Sequence, residues 1–190
     1  MERHSHYFYA IRLPEELKEQ LRTYAIELNE QLSFSRWVHH QDYHITLAFL
    51  GAAAIEMLEH SKTLVKQQVS ELGDFQLTID SLGVFGGNES PRIFWAGVKK
   101  ETGLHIVRNQ VFQGCKQVGF QLESRPFHPH ITLARKWQGE KPLSETKFEE
   151  AKAMIKSTSF LANEVVLYQT HLDRNPKYEA IEVFTLRNLC

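Results

Sequence analysis

A chain of 190 residues with a formal net charge of −1 lacks the basic surplus of proteins that coat long nucleic-acid duplexes, although an anion could still bind in a locally positive cleft. Hydrophobic residues make up 42% and charged residues 24%, the balance of an ordinary globule, and such a length can bury about 70% of its unfolded surface. Cys115 and Cys190 are the only cysteines, which excludes a disulfide framework or a cysteine-based zinc site.

Residues 7–11 are aromatic and β-favouring, a first strand closed by Pro14. Residues 15–32 place Leu17, Leu21, Tyr24, Ala25 and Leu28 at helical spacing. A short strand at 37–38 and a longer one at 43–50 follow, ended by Gly51. Residues 55–72 repeat the helical pattern through Leu58, Leu64, Val65, Val69 and Leu72, until Gly73-Asp74 stops it. Residues 75–79 alternate as a half-buried strand running on towards Phe85, and Gly86-Gly87-Asn88 turns the chain into a partner strand at 92–98. A third helix covers 104–118, another strand 130–134, and a fourth helix 148–155 after a polar stretch. Residues 164–171 and 178–186 close as an antiparallel pair across Asp173-Arg174-Asn175-Pro176.

This order implies an α+β fold in one domain spanning residues 1–190. It would form two similar lobes of antiparallel sheet with helices on the outer faces, related by a pseudo-two-fold, with a cleft between them. No apolar run approaches the roughly 18 residues of a membrane span, and the N-terminal stretch has no signal-peptide core. The expectation is a cytoplasmic protein, a monomer, without membrane contact.

One phrase occurs twice: His44-Ile45-Thr46-Leu47 and His130-Ile131-Thr132-Leu133. Ten His and ten Thr in 190 residues predict only about half of one accidental His-x-Thr, so two identical tetrapeptides stand well above chance. Both lie in apolar runs, and in a strand residues i and i+2 share a face. Each copy therefore sets an imidazole beside a hydroxyl, backed by Ile and Leu.

Two facing imidazoles suit acid–base catalysis near neutrality, one taking a proton from water and the other giving one to a departing oxygen. The hydroxyls of Thr46 and Thr132 can bond oxygens on which charge develops. An electrophile with attacker and leaving group on opposite sides is a phosphorus undergoing in-line displacement. The pH profile expected for ordinary imidazoles is a bell with limbs at roughly pH 6 to 8.

Arg135 lies five residues after His130, where it could bind phosphate or stack on a base, but an odd spacing puts it on the far face of a straight strand. Phe8 and Tyr9 read as core aromatics, with Tyr9 the candidate of the two to stack a nucleobase. Metal binding is the rival chemistry, since His39, His40, His44, His128 and His130 could supply imidazoles. No acidic residue falls within either motif and threonine hydroxyls are poor zinc ligands, so no metal and no cofactor is expected.

With these residues the chain resembles the 2H phosphoesterases, and among them the bacterial and archaeal RNA 2′,3′-cyclic phosphodiesterases, historically called 2′-5′ RNA ligases. The likeness runs from Leu13-Pro14-Glu15-Glu16 and Trp37 through both motifs, Leu82-Gly83-Val84-Phe85 and residues 92–98, to Val165-Val166-Leu167-Tyr168. The pair His39-His40 departs from it, standing where such proteins usually have Pro or other small and polar residues. The resemblance implies hydrolysis of a 2′,3′-cyclic phosphate at the end of an RNA or on a nucleotide, leaving a 2′-phosphate. It also implies His130 as the general base and His44 as the general acid.

Overall fold

The computed structural model describes residues 5–87 and 89–189. His4, Cys190 and Asn88 of the expected turn lie outside them. Strand β1 (His6–Arg12) leads through α1 (Glu15–Asn29) to β2 (Phe34–Trp37) and, after one 3₁₀ turn, to β3 (His44–Ala52), which carries the first motif. Next come α2 (Ile55–Val69), β4 (Phe75–Phe85), β5 (Ile93–Val98), α3 (Thr102–Val118) and β6 (His130–Trp137), which carries the second motif. The chain closes with α4 (Glu145–Met154), β7 (Thr158–Ala162), β8 (Glu164–Thr170) and β9 (Tyr178–Thr185).

Helix α4 begins three residues before the expected start because Ser144 caps it, its hydroxyl accepting from the Lys147 N–H at 3.5 Å. Helix α3 is capped by the Glu101 carboxylate and ends where Gly119, at φ 104°, takes the left-handed conformation that favours glycine. Strand β7 was not anticipated. Its alternation spans only five residues, too short to stand out.

The strands form two antiparallel sheets, ordered β3-β1-β8-β9 and β2-β6-β5-β4-β7. Each sheet draws on both halves of the chain, so the lobes are interleaved along the sequence rather than consecutive. The motif strands belong to different sheets and approach one another. One apolar core runs through both sheets and all four helices, with Ile45, Ile131, Val65 and Val107 at 0 to 1% exposure. Truncating a buried Ile of this kind to Ala costs about 2–5 kcal/mol, so each motif strand is anchored by the face opposite its His-Thr pair. On the opposite face of the four-stranded sheet, Phe8, Ala10, Val166 and Tyr168 form a separate small cluster, joined by Tyr178.

Both motif strands carry the same irregularity. Tyr9 pairs with Ala48 and Ala10 with Thr46, so Leu47 is an extra residue in β3. Phe94 pairs with Ala134 and Trp95 with Thr132, so Leu133 is the corresponding extra residue in β6. A bulge inverts the alternation beyond it. Leu47 and Ala48 are both buried and Phe49 emerges, just as Leu133 and Ala134 are both buried and Arg135 emerges. The duplicated phrase thus encodes a duplicated backbone shape. At the end of β6, Lys136 at φ 61° turns the chain again, and Trp137 packs edge-on against the buried Phe34 at 5.2 Å.

Candidate active site

The two motif histidines are held in the same way. The Nδ1–H of His44 donates to the carbonyl of Asp42 at 2.7 Å, and that of His130 to the carbonyl of His128 at 2.8 Å. A carbonyl can only accept, so each Nδ1 carries hydrogen and Nε2 is left as the position that gains or loses a proton. Thr46 Oγ1 lies 3.0 Å from His44 Nε2, so with the imidazole neutral the hydroxyl donates to the ring. Once His44 is protonated, the ring becomes the donor and the hydroxyl hydrogen is released for another acceptor. Thr132 shares the face of His130, but among the described residues no hydrogen bond joins them.

Aromatic walls surround both rings. His44 has Phe8 at 4.7 Å, Tyr178 edge-on at 5.2 Å and Tyr168 at 6.0 Å. His130 has Phe85 edge-on at 4.8 Å and Trp95 at 6.2 Å. Gly83 and Gly97 make room for the Trp95 indole, since a Cβ on either would run into it. Burial in these walls pushes the His44 pKa down to about 4, against the pull of the Asp42 carbonyl and helped by the charges of Arg135 and His130. Burial also lowers His130, with His128 and Arg135 acting in the same direction. Burial thus favours the neutral form of both imidazoles, and an anion between them is what would charge one.

Arg135 is exposed on the face of β6 that bears His130 and Thr132, brought there by the bulge at Leu133, and its charge acts on both histidines. The structure corrects the expectation for Tyr9. That side chain is fully buried on the core face, its hydroxyl 2.9 Å from Ser61 Oγ, and cannot reach a ligand. Period two along β1 gives the cleft to its neighbour Phe8 instead. Tyr9→Phe is accordingly expected to leave turnover unchanged and to lower stability by about 1 kcal/mol, the loss of one buried hydrogen bond. Chemical denaturation and steady-state rates check this together.

Sequence reasoning missed Asp42. Its buried carboxylate accepts from the backbone N–H groups of Lys177 and Tyr178 at 2.9 to 3.0 Å, while its carbonyl holds His44. One residue thereby fixes the first imidazole and the start of the strand whose Tyr178 ring walls it. The only signal was position, since Asp42 and His128 stand two residues before the motif histidines. His39 and His40 do not join the site. Their rings meet at a tilt with centroids 4.5 Å apart, and His40 Nε2 lies 3.0 Å from the Glu19 carboxylate. Among the described residues no group of three or more His, Cys, Asp or Glu is placed to hold a metal ion.

This geometry matches a known family. A sequence model of the 2′-5′ RNA ligase superfamily covers residues 13–174. The chain belongs to the 2′-5′ RNA ligase superfamily. Two relatives, both named RNA 2′,3′-cyclic phosphodiesterase, place it more closely. The one from Geobacillus stearothermophilus is 42% identical over 182 residues, covering 96% of this chain and 57% of that protein. The one from Bacillus subtilis (strain 168) is 38% identical over 183 residues, covering 95% of this chain and 96% of that protein. This superfamily member thus spans a little over half the length of the first relative and nearly all of the second. Among solved structures, Escherichia coli LigT complexed with 3′-AMP superposes with a TM-score of 0.77 at 26% identity, covering 96% of this chain and 98% of that one. As for membranes, no helix among the described residues is long and apolar enough to cross one.

Proposed function

We propose that this 2′-5′ RNA ligase superfamily member is an RNA 2′,3′-cyclic phosphodiesterase, a hydrolase that opens cyclic-phosphate ends of RNA or nucleotides to 2′-phosphomonoesters by two-histidine acid–base catalysis. The observation that carries the reading is the pair of imidazoles on facing motif strands, each locked with Nδ1–H on a backbone carbonyl and Nε2 available for proton transfer. The names of the two relatives support the substrate class.

In this reading His130 Nε2 takes a proton from water as its oxygen attacks phosphorus. The P–O3′ bond breaks, and protonated His44 delivers its Nε2 proton to O3′. The products are a 2′-phosphate and a 3′-hydroxyl, with His130 now protonated and His44 neutral; exchange with solvent resets both. The cyclic phosphate is an anion, and it stabilises the protonated His44 that burial otherwise disfavours. Protonation also frees the Thr46 hydroxyl to donate to a non-bridging oxygen, with Thr132 serving the same charge from the other strand and Arg135 holding the phosphate.

The test is incubation with a 2′,3′-cyclic nucleotide and with RNA ending in a cyclic phosphate, the product isomer being identified by chromatography. A 2′-phosphate is expected; a 3′-phosphate, or no turnover of either, overturns the reading. Exhaustive treatment with EDTA should leave the rate unchanged, because no step in this scheme uses a cation. Loss on chelation with recovery on adding zinc or manganese would assign the histidines to metal binding instead.

A further inference from the structure

Arg36 is the residue of β2 directly opposite Arg135 across the β2–β6 pair. Directly opposed residues share a sheet face with their Cβ atoms about 4.5–5.5 Å apart, and like charges so placed repel. Both arginines are exposed, and among the described residues neither has a carboxylate within ion-pair distance. On a chain of net charge −1, two opposed and unrelieved guanidinium groups at the end of the cleft call for an anion. Phe34 and Trp37 flank the pair and pack edge-on, and both reach Phe94 in the core.

Position separates the roles of the two. Arg135 stands on the motif strand and acts on both histidines, so it belongs to the reacting phosphate. Arg36 lies on the edge strand, one strand spacing of about 4.8 Å to the side of Arg135. A mononucleoside cyclic phosphate carries one phosphate, which the histidines, threonines and Arg135 already engage. An RNA end carries a second anion one nucleotide back along the chain.

We propose that Arg36 binds this penultimate phosphodiester, so that the site takes RNA chain ends in preference to mononucleotides; the proposal rests on the cyclic-phosphodiesterase reading above.

The experiment compares Arg36→Ala, Arg36→Lys and Arg135→Ala with wild type. The substrates are a mononucleoside 2′,3′-cyclic phosphate and a short oligoribonucleotide with the same 3′-terminal nucleoside cyclic phosphate. Arg36→Ala should lower kcat/KM on the oligonucleotide about tenfold, the loss of one charge-assisted contact, and change the mononucleotide by less than about twofold. The slope of log kcat/KM against log salt should become shallower by about 0.7 on the oligonucleotide alone, one phosphate contact on a single strand. Arg36→Lys keeps the charge and should recover most of the rate, whereas Arg135→Ala should depress both substrates. Equal losses on both substrates for Arg36→Ala, or none on either, would overturn the assignment while leaving the activity standing. Wild-type protein inert on both substrates would overturn the activity and the assignment together.

Discussion

Alanine at His44 or at His130 is expected to lower kcat on a cyclic-phosphate substrate by about 10²–10⁴-fold, the range for loss of a positioned general acid or base. The two losses arise at different atoms. Without His130 the attacking water keeps its proton; without His44 the O3′ leaving group departs as an alkoxide. Both events belong to one displacement, so the double variant should be little slower than the worse single, as with residues that act as a unit. The fold should persist, since both rings lie outside the main core and the motif strands are anchored by Ile45, Leu47, Ile131 and Leu133. The carbonyl of Asp42 or His128 loses its partner, costing about 1 kcal/mol, and the neighbouring aromatic rings, with Thr46 at His44, lose a contact as well. Single-turnover rates beside circular dichroism decide it. A variant with a native spectrum and near wild-type kcat on both mononucleotide and oligonucleotide would remove that histidine from the mechanism.

The parts of this site legible in the sequence are those that depend on residue type and short-range period. A repeated His-x-Thr in an apolar strand places imidazole and hydroxyl on one face whatever the rest of the fold does. The face of Arg135 was not legible, because it depends on a bulge at Leu133 that no Gly or Pro marks. The choice between Phe8 and Tyr9 failed for another reason. Strand β1 is apolar on both faces, one built into the core and the other into the aromatic cluster around His44, so hydrophobicity gives the period but not its phase. Sheet order was equally hidden. The pairing of β1 with β8 joins Tyr7 to Gln169, and nothing local in either strand specifies so distant a partner. The resemblance supplied the assignment of acid and base, which the near-symmetry of the two motifs leaves open.

Replacing Thr46 or Thr132 by Val should lower kcat/KM by about 10–10³, the range for one lost donor to a developing oxyanion, and Ser should restore much of it. The pH profile separates this loss from any change in the histidines. The base, His130, must be neutral, so the rate falls as pH drops below its pKa. The acid, His44, must be protonated, so the rate falls as pH rises above its own. Burial lowers both in the free protein, His44 to about 4. Because kcat/KM reports the free enzyme, its bell should lie to the acid side of the roughly pH 6 to 8 expected of ordinary imidazoles. The kcat profile reports the bound state, where the substrate anion favours the charged rings, and its limbs should move to higher pH by about one unit or more. The Val variants should keep the kcat/KM limbs in place at Thr132, whose hydroxyl is not bonded to its imidazole. At Thr46 the hydroxyl can bond the ring in both of its charge states, donating to the neutral imidazole and accepting from the protonated one, so the limb set by His44 should also stay near its place. An alkaline limb of kcat/KM above pH 7 in the wild type would show that burial does not hold both rings neutral in the free enzyme. A Val variant with unchanged kcat/KM would leave its threonine a purely structural part.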